Sequence, residues 1–536
     1  MPHHLARLSA ACLLTGCGPG NEASFSLRLE PVTAPNQADA FQDVVSLWVE
    51  VRAPNGGVDR YELGAPDSGS TSEVGGLMPI DPGSVVAVEG YDVESRVASH
   101  LVLYGVTAPL DVGPDEDVVV PIYTAGTERV ALFDEMEDGL WCAAGASDGA
   151  GAFYLFGGSD YGMNGGSASD RVLSLALAPV QAGFPLETVA TLPPTSDDWG
   201  SDGVSSITGR SCATATRIGG TGHGDVGRIL VTGGWSAYLN GWSVTSQVLI
   251  FDPATGTLEV AGSLRAPRAA HVAVALDGGE VVLFGGFTHS DATDSATFTS
   301  TVEVYQPATR TFARGSDRFD IEIQWGAAAS SGDAAIWCGG LDYGATRYAA
   351  HDACYRVDGS GTVSEISAPS FGTDTGILRP AMASLGDGRV LLCGGSLVTG
   401  EVEAEDTQPA TDRAWIYDAA ADVWTRAASM NQPRAFHAAA PLTGGRVLVV
   451  GGFDGLSDRG MQAGQPVACA EVYDPETDVW SDVGDCSGDG STGVLPEGFG
   501  DPTWAVDPEY GGLFFGGLDR NLFGASHVVL YTPNPR

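Results

Sequence analysis

The chain has 536 residues, 43% of them hydrophobic, with 74 Gly and 30 Pro. That length exceeds one ordinary hydrophobic core, so several domains or a repeat architecture are expected. The formal net charge is −42 and every basic residue is Arg, which argues against nucleic acid as a partner and leaves no polybasic patch for a membrane surface.

The first residues, MPHHLARLSAACLLTGCGPG, carry a weakly basic start and a short apolar stretch, Leu8 to Leu14. That stretch is too short to span a bilayer as a mature helix. Leu14-Thr15-Gly16-Cys17 follows it and resembles the lipobox of bacterial lipoproteins. The resemblance implies a signal peptide over 1–16, acylation of Cys17, a linker over 17–23 and residence in the cell envelope at the outer membrane or cell surface. Several acyl chains give stable anchoring where one does not.

Residues 24–126 hold short alternating strands such as SFSLRLEPV, VVSLWVEVRAP, SVVAVEGYD and EDVVVPIYTA, divided by turn signals such as Pro54-Asn55-Gly56-Gly57. Six or seven such strands predict a small β-sandwich, similar to immunoglobulin-like or transthyretin-like modules, acting as a spacer.

From 127 to 536 an apolar strand ending in Gly-Gly recurs seven times, closing at Gly158, Gly234, Gly286, Gly340, Gly395, Gly452 and Gly517. Four downstream strands run into a turn: Phe251-Asp252-Pro253, Tyr305-Gln306-Pro307, Tyr417-Asp418-Ala419 and Tyr473-Asp474-Pro475. An apolar anchor follows each of them: Leu258, Phe312, Trp424 and Trp480. The Gly pair, Tyr and Trp resemble the kelch repeat, and a period near 50 residues suits it. The resemblance implies an all-β, seven-bladed β-propeller of four-stranded sheets. Blades one and four depart from the turn pattern. HVVLYTPNPR ends the chain one strand short of a blade, and Glu128–Phe133 is a strand with no blade of its own, so the two are expected to pair.

In an up-and-down blade, the loop between strands two and three and the loop between blades leave on one face. Those loops are long, and those of the opposite face short, as at Asp277-Gly278-Gly279. Binding favours long loops on a rigid scaffold. The long loops carry Tyr161, Trp199, Trp235, Tyr238, Trp242, Tyr343, Arg347, Tyr348, Phe453, Arg459, Arg520 and Phe523, residue types common at binding hot spots. Arg210, Arg268, His271, Arg379, Arg434 and His437 recur near the starts of first strands and are candidates for the channel mouth. An anion held by such arginines is the minority reading; a structural role is the main one.

No catalytic set stands out. The seven His after the leader have no ligand spacing, so no metal or cofactor is expected, copper included. Asp485–Gly490 lacks the Glu that a calcium loop needs. Cys469 with Cys486, and Cys338 with Cys354, flank hairpins and could pair; Cys142 and Cys212 hold matching places in adjacent blades. The reading is a monomeric, lipid-anchored propeller that binds a protein or glycan on one face, with no nucleic acid partner. The alternative is a carbohydrate-active enzyme, resembling kelch-like sugar oxidases or a mutarotase, although the mutarotase has six blades.

Overall fold

The computed structural model describes residues 6–8, 25–31 and most of 44–532. The main stretches outside the described residues are 9–24, 32–43, 64–71, 107–117, 160–167, 177–185, 196–208 and 484–499. No α-helix occurs among the described residues.

The sheet topology contains seven four-stranded antiparallel sheets in succession. Their first strands are Ala144–Ser147, Thr214–Arg217, Val272–Ala275, Gly326–Ser330, Ala381–Ser384, Ala438–Pro441 and Thr503–Asp507. Each first strand neighbours the next, and Thr503–Asp507 neighbours Ala144–Ser147, so the ring is closed. The seventh sheet is completed from the front of the chain: Arg129–Glu135 pairs antiparallel with His527–Thr532, for example Val130 with Tyr531. The sheets are called blades 1 to 7 below.

Sequence pattern explains each blade. Second strands such as Ile229–Thr232, Val281–Phe284 and Val447–Val450 are buried throughout. They are sandwiched on both faces by neighbouring blades, so they read as unbroken apolar runs. Fourth strands such as Thr257–Ser263 are largely exposed. One apolar cluster fills each gap: Phe156 and Phe251 between blades 1 and 2, Phe284 and Trp337 between 3 and 4, Phe514 and Tyr531 between 6 and 7.

The Gly pairs have a specific task. The second Gly N–H donates to a first-strand approach in the next blade: Gly158 to the Arg210 carbonyl at 2.7 Å, Gly234 to Arg268 at 2.9 Å, Gly395 to Arg434 at 2.8 Å. The first Gly lies against the same carbonyl. A Cβ on Gly157, Gly233 or Gly394 would strike it, and all three have positive φ, a conformation glycine adopts without penalty.

The N-terminal strands form two sheets that share one strand, giving a single hydrogen-bonded order of eight. Val118–Gly126 joins the two halves. Its first seven residues pair parallel with Phe25–Pro31, and its end pairs with Leu103–Tyr104. Ala6–Leu8, inside the segment read as a leader, pairs with Ser72–Val74. The module packs against the ring. Tyr91, Leu101 and Tyr104 join Met136, Leu140, Phe153 and Phe515 in one buried cluster. Beside it, Arg96 bridges the mostly buried carboxylates Glu50 and Glu89 at 2.6 and 2.5 Å.

Candidate binding face and axial cavity

One face is built up, as loop length predicts. Hairpins extend beyond the blades at Trp235–Tyr238 with Gly241–Val244, and at Phe287–Ser290 with Ser295–Phe298. Others cross between blades. Arg347–Ala350 of blade 4 pairs with Leu341–Tyr343 on one side and with Glu401–Glu403 of blade 5 on the other. Gln408–Pro409 of blade 5 pairs with Gly455–Ser457 of blade 6. The opposite face has tight turns with two exceptions, the first being the ten residues between strands three and four of blade 1. Blade 2 inserts 218–228 between its first two strands, where the other blades use three to five residues.

The predicted face residues divide three ways. Trp235, Tyr238, Trp242, Tyr343, Arg347 and Tyr348 lie on the extension hairpins. Tyr161, Trp199, Arg459, Arg520 and Phe523 lie outside the described residues, as do Cys17 and Cys486. Phe453 is a correction: it is fully buried, in a cluster with Trp141, Leu341, Leu378, Phe436 and Leu518. It follows a Gly pair directly, and its backbone is bonded to Ala435 in both directions, so its ring turns into the molecule.

The channel-mouth arginines are also corrected. Arg210, Arg268 and Arg434 are fully buried and do not line the axis. Arg434 donates to the Gly451 and Cys469 carbonyls at 2.9 and 3.0 Å and to Glu471 at 2.7 Å. Arg268 repeats this with Gly285, Thr301 and Glu303. In blade 2 the Gln247 side chain takes the role of the Glu toward Arg210. The carboxylates reach further: Glu471 accepts from the Asn431 and Gln432 backbone at 2.6 and 3.0 Å, and Glu303 from Arg265 at 2.8 Å. Each arginine therefore ties strands two and three of its blade to the chain entering it. A buried guanidinium is tolerable because its donors meet carbonyls and a carboxylate.

Arg379 is not their counterpart. It stands two residues later in the repeat, level with Cys142, Cys212, Ala270, Trp325 and Phe436, all at positive φ. These residues form arcs of backbone bonds around the axis: Cys212 N to Cys142 O, Ala270 N to Cys212 O, Arg379 N to Trp325 O and Phe436 N to Arg379 O. The Arg379 guanidinium sits 4.2 Å from the Trp325 ring centroid and 3.9 Å from that of Phe436, a cation held between two aromatic faces. A disulfide joins Cys142 to Cys212 at the same level. These residues stand at the built-up end of the first strands.

Below them runs an axial cavity of about 1030 Å³, lined from all seven first strands, mainly by Ala, Val, Ser and Thr. His271 lines it and is mostly buried. Its Nε2 lies 3.0 Å from Thr214 Oγ1 and 2.8 Å from Thr232 Oγ1. His437 occupies the matching place in blade 6, its Nε2 3.6 Å from the Cys393 sulfur. Burial, with Arg268 or Arg434 nearby, holds both imidazoles well below the usual His range. A second disulfide, Cys338–Cys354, crosses adjacent strands of blade 4. Cys469 is disulfide-bonded, and Cys393 is a free buried thiol.

A ring of four-stranded antiparallel sheets closed by a strand from the front of the chain is a β-propeller. Kelch motifs match it at residues 268–317 and 434–487, and an F-box/kelch-repeat protein of Arabidopsis thaliana, SKIP30, is 37% identical over 120 residues. The chain carries kelch repeats and is similar to kelch-repeat proteins. It spans about a third, 32%, of that relative's length, and the match covers 20% of this chain. Among solved structures, the one titled "Structure of YjhT" matches with a TM-score of 0.44 at 14% identity, covering 65% of this chain and 99% of that one. A fungal alcohol oxidase of the AA5 family, in complex with copper, matches with a TM-score of 0.49 at 14% identity over 75% of each chain.

Proposed function

We propose that this protein is an exported, lipid-anchored binding propeller that engages a protein or glycan through its built-up face. The observation that carries the reading is the cross-blade hairpin set. Arg347–Ala350 and Gln408–Pro409 each pair across a blade boundary, forming cross-blade sheets where separate loops would suffice to connect strands. Ordered backbone lowers the entropy cost of binding. The aromatic and Arg positions of the hairpins supply anchor types suited to a protein or sugar surface. The arginines and histidines of the repeat are occupied in bonds between strands and blades, which supports binding over catalysis.

Two measurements test the reading. The mature protein is incubated with glycan and cell-envelope protein arrays, beside a variant whose 343–348 hairpin is replaced by Gly-Ser. Selective binding that falls at least tenfold in the variant supports it. No binding, or measurable sugar turnover by the purified protein, overturns it. Anchoring is tested by Cys17→Ser, which should move the protein from the membrane fraction to the soluble one.

A further inference from the structure

We propose, on the reading that Cys17 is the anchor and the built-up face holds a partner, that the N-terminal module is a load-bearing clamp. It carries tension between anchor and ring in shear, and keeps that tension off the strand that closes the ring.

Strand direction is the first observation. From residue 17 the chain enters the module at Phe25–Pro31 and leaves it through Val118–Gly126. These two strands are neighbours and run parallel, with seven residue pairs from Phe25 opposite Val118 to Pro31 opposite Thr124. In a parallel pair, the start of one strand and the end of the other lie at opposite ends of the ladder. Tension between residue 17 and the ring therefore pulls the strands lengthwise past each other, and the bonds of the ladder resist together. An antiparallel pair loaded at the same two points would open one bond at a time. Antiparallel strands need only a hairpin between them, whereas parallel strands need a long connection; here the rest of the module supplies it. Pro121 has no N–H, so the ladder loses one donor at most. The entry strand is also held on its other edge, antiparallel to Ser72–Leu77.

The hand-off to the ring is the second observation. Two residues separate Gly126 from Arg129, where the ring-closing strand begins. That strand closes the ring by pairing with His527–Thr532, so tension delivered through Arg129 alone would load the closure. The module offers a broader path. The end of the exit strand pairs with Leu103 and Tyr104. Tyr104 shares a buried cluster with Tyr91, Phe153 of blade 1 and Phe515 of blade 7. The sheet carrying this contact is buried on both faces, Val49, Val86 and Val88 on one and Ala87, Tyr91 and Tyr104 on the other. A free-standing antiparallel sandwich leaves its outer face to solvent. The apolar contact lies over the seam between blades 7 and 1, so load enters two blades across a surface.

The test pulls single molecules of the chain from residue 17 onward, carrying Cys17→Ser. One peptide tag is inserted between Ala292 and Thr293, in the blade 3 hairpin of the built-up face. The other sits at residue 17 in one protein and between Asn36 and Gln37 in a second, past the far end of the entry strand. The first geometry shears the ladder; the second opens it from the ring end. Forced unfolding follows the unfolding rate rather than equilibrium stability, so one fold can differ between two directions of pull. At equal loading rate the first geometry should need at least twofold more force to unfold the module. Its step should release residues 25–126, roughly 350 Å of extended chain, with the ring still folded. Leu27→Cys with Val120→Cys, opposite each other in the ladder, should abolish that step when oxidised and restore it on reduction. Equal forces in the two geometries, a ring that unfolds before the module, or a step unchanged by the bridge overturns the proposal. Neither lipid nor ligand enters these measurements, so their failure is distinct from failure of the anchoring and binding tests.

Discussion

The Tyr305 hydroxyl donates to the Asp225 carboxylate across 3.0 Å, although 80 residues separate them. Blades 5 and 6 keep the same bond local. Tyr417 donates to Asp422 at 3.0 Å and Tyr473 to Asp478 at 2.8 Å, each within its own turn. Blade 3 has Arg310 at that turn position, with the same positive φ. The long 218–228 loop of blade 2 reaches over and supplies the missing carboxylate, which Arg310 and Arg228 also engage. The loop is therefore a brace between blades 2 and 3.

Removing the brace is costly. Asp225 is fully buried, and burial alone would raise its pKa, but hydrogen bonds from Arg310 and Tyr305 hold it below the usual carboxylate range. Asp225→Ala leaves the buried Tyr305 hydroxyl without its acceptor, while the partly exposed Arg310 and Arg228 can turn to solvent, and should lower stability by about 1–3 kcal/mol. Arg310→Asp in that background restores a local acceptor for Tyr305 and should recover part of the loss. Arg310→Asp alone places two carboxylates together and should destabilise. Urea melts of the four proteins give the coupling, whose absence would refute the substitution of one Asp for the other.

The Arg–Glu ties predict a ranking. Glu471→Ala leaves Arg434 buried without its carboxylate and should cost roughly 3–5 kcal/mol. Glu303→Ala should behave alike, since Arg268–Glu303 is equally buried at 2.8 Å. Gln247→Ala removes a neutral acceptor from Arg210 and should cost about 1–2 kcal/mol. Denaturant midpoints at constant slope check the order.

Much of this architecture is legible in the primary structure, and particular residues show where legibility ends. The Gly pairs repeat the same strand ending, so blade positions can be read directly, and Glu128–Phe133 shows itself as a strand without a blade. Loop parity finds the built-up face. Arg379 fails because Leu378-Arg379 looks like Thr-Gly-Arg210 or Pro-Arg268 in a linear string; only the backbone bond between Gly340 and Ile377 gives the true register. Phe453 fails because a residue directly after a Gly pair still belongs to the core. Asp225 could not be paired with Tyr305 from spacing. The one signal was Arg310 standing where Asp422 and Asp478 stand in sister blades.

His271 and His437 predict a pH dependence. Both have folded pKa values lowered well below 6.5 by burial, so the native state stays neutral where the unfolded chain takes up protons. Stability from these sites is complete above the unfolded pKa near 6.5 and falls as pH drops below it, by up to about 1.4 kcal/mol per pH unit for each His. The double variant His271→Gln with His437→Gln should show a shallower loss between pH 6.5 and 5. Carboxylate titration is common to both proteins, so the difference between their melts isolates the histidines. Parallel curves would mean that the imidazoles protonate freely.

Cys393 predicts a disulfide that the chain does not make. Cys338 and Cys393 each precede a Gly pair, and in blade 4 Cys338 faces Cys354 directly across strands two and three. In blade 5 the residue facing Cys393 is Ala414. The same register puts the two Cβ atoms within reach of a bridge. Ala414→Cys should therefore oxidise with Cys393 under oxidising conditions, leaving no thiol at that pair on mass analysis after alkylation in denaturant. Closing this loop should stabilise the oxidised protein by about 3 kcal/mol, a gain that reduction abolishes. If Cys393 and the thiol introduced at position 414 both alkylate once the oxidised protein is denatured, blades 4 and 5 differ in strand separation at this level, and the register equivalence fails.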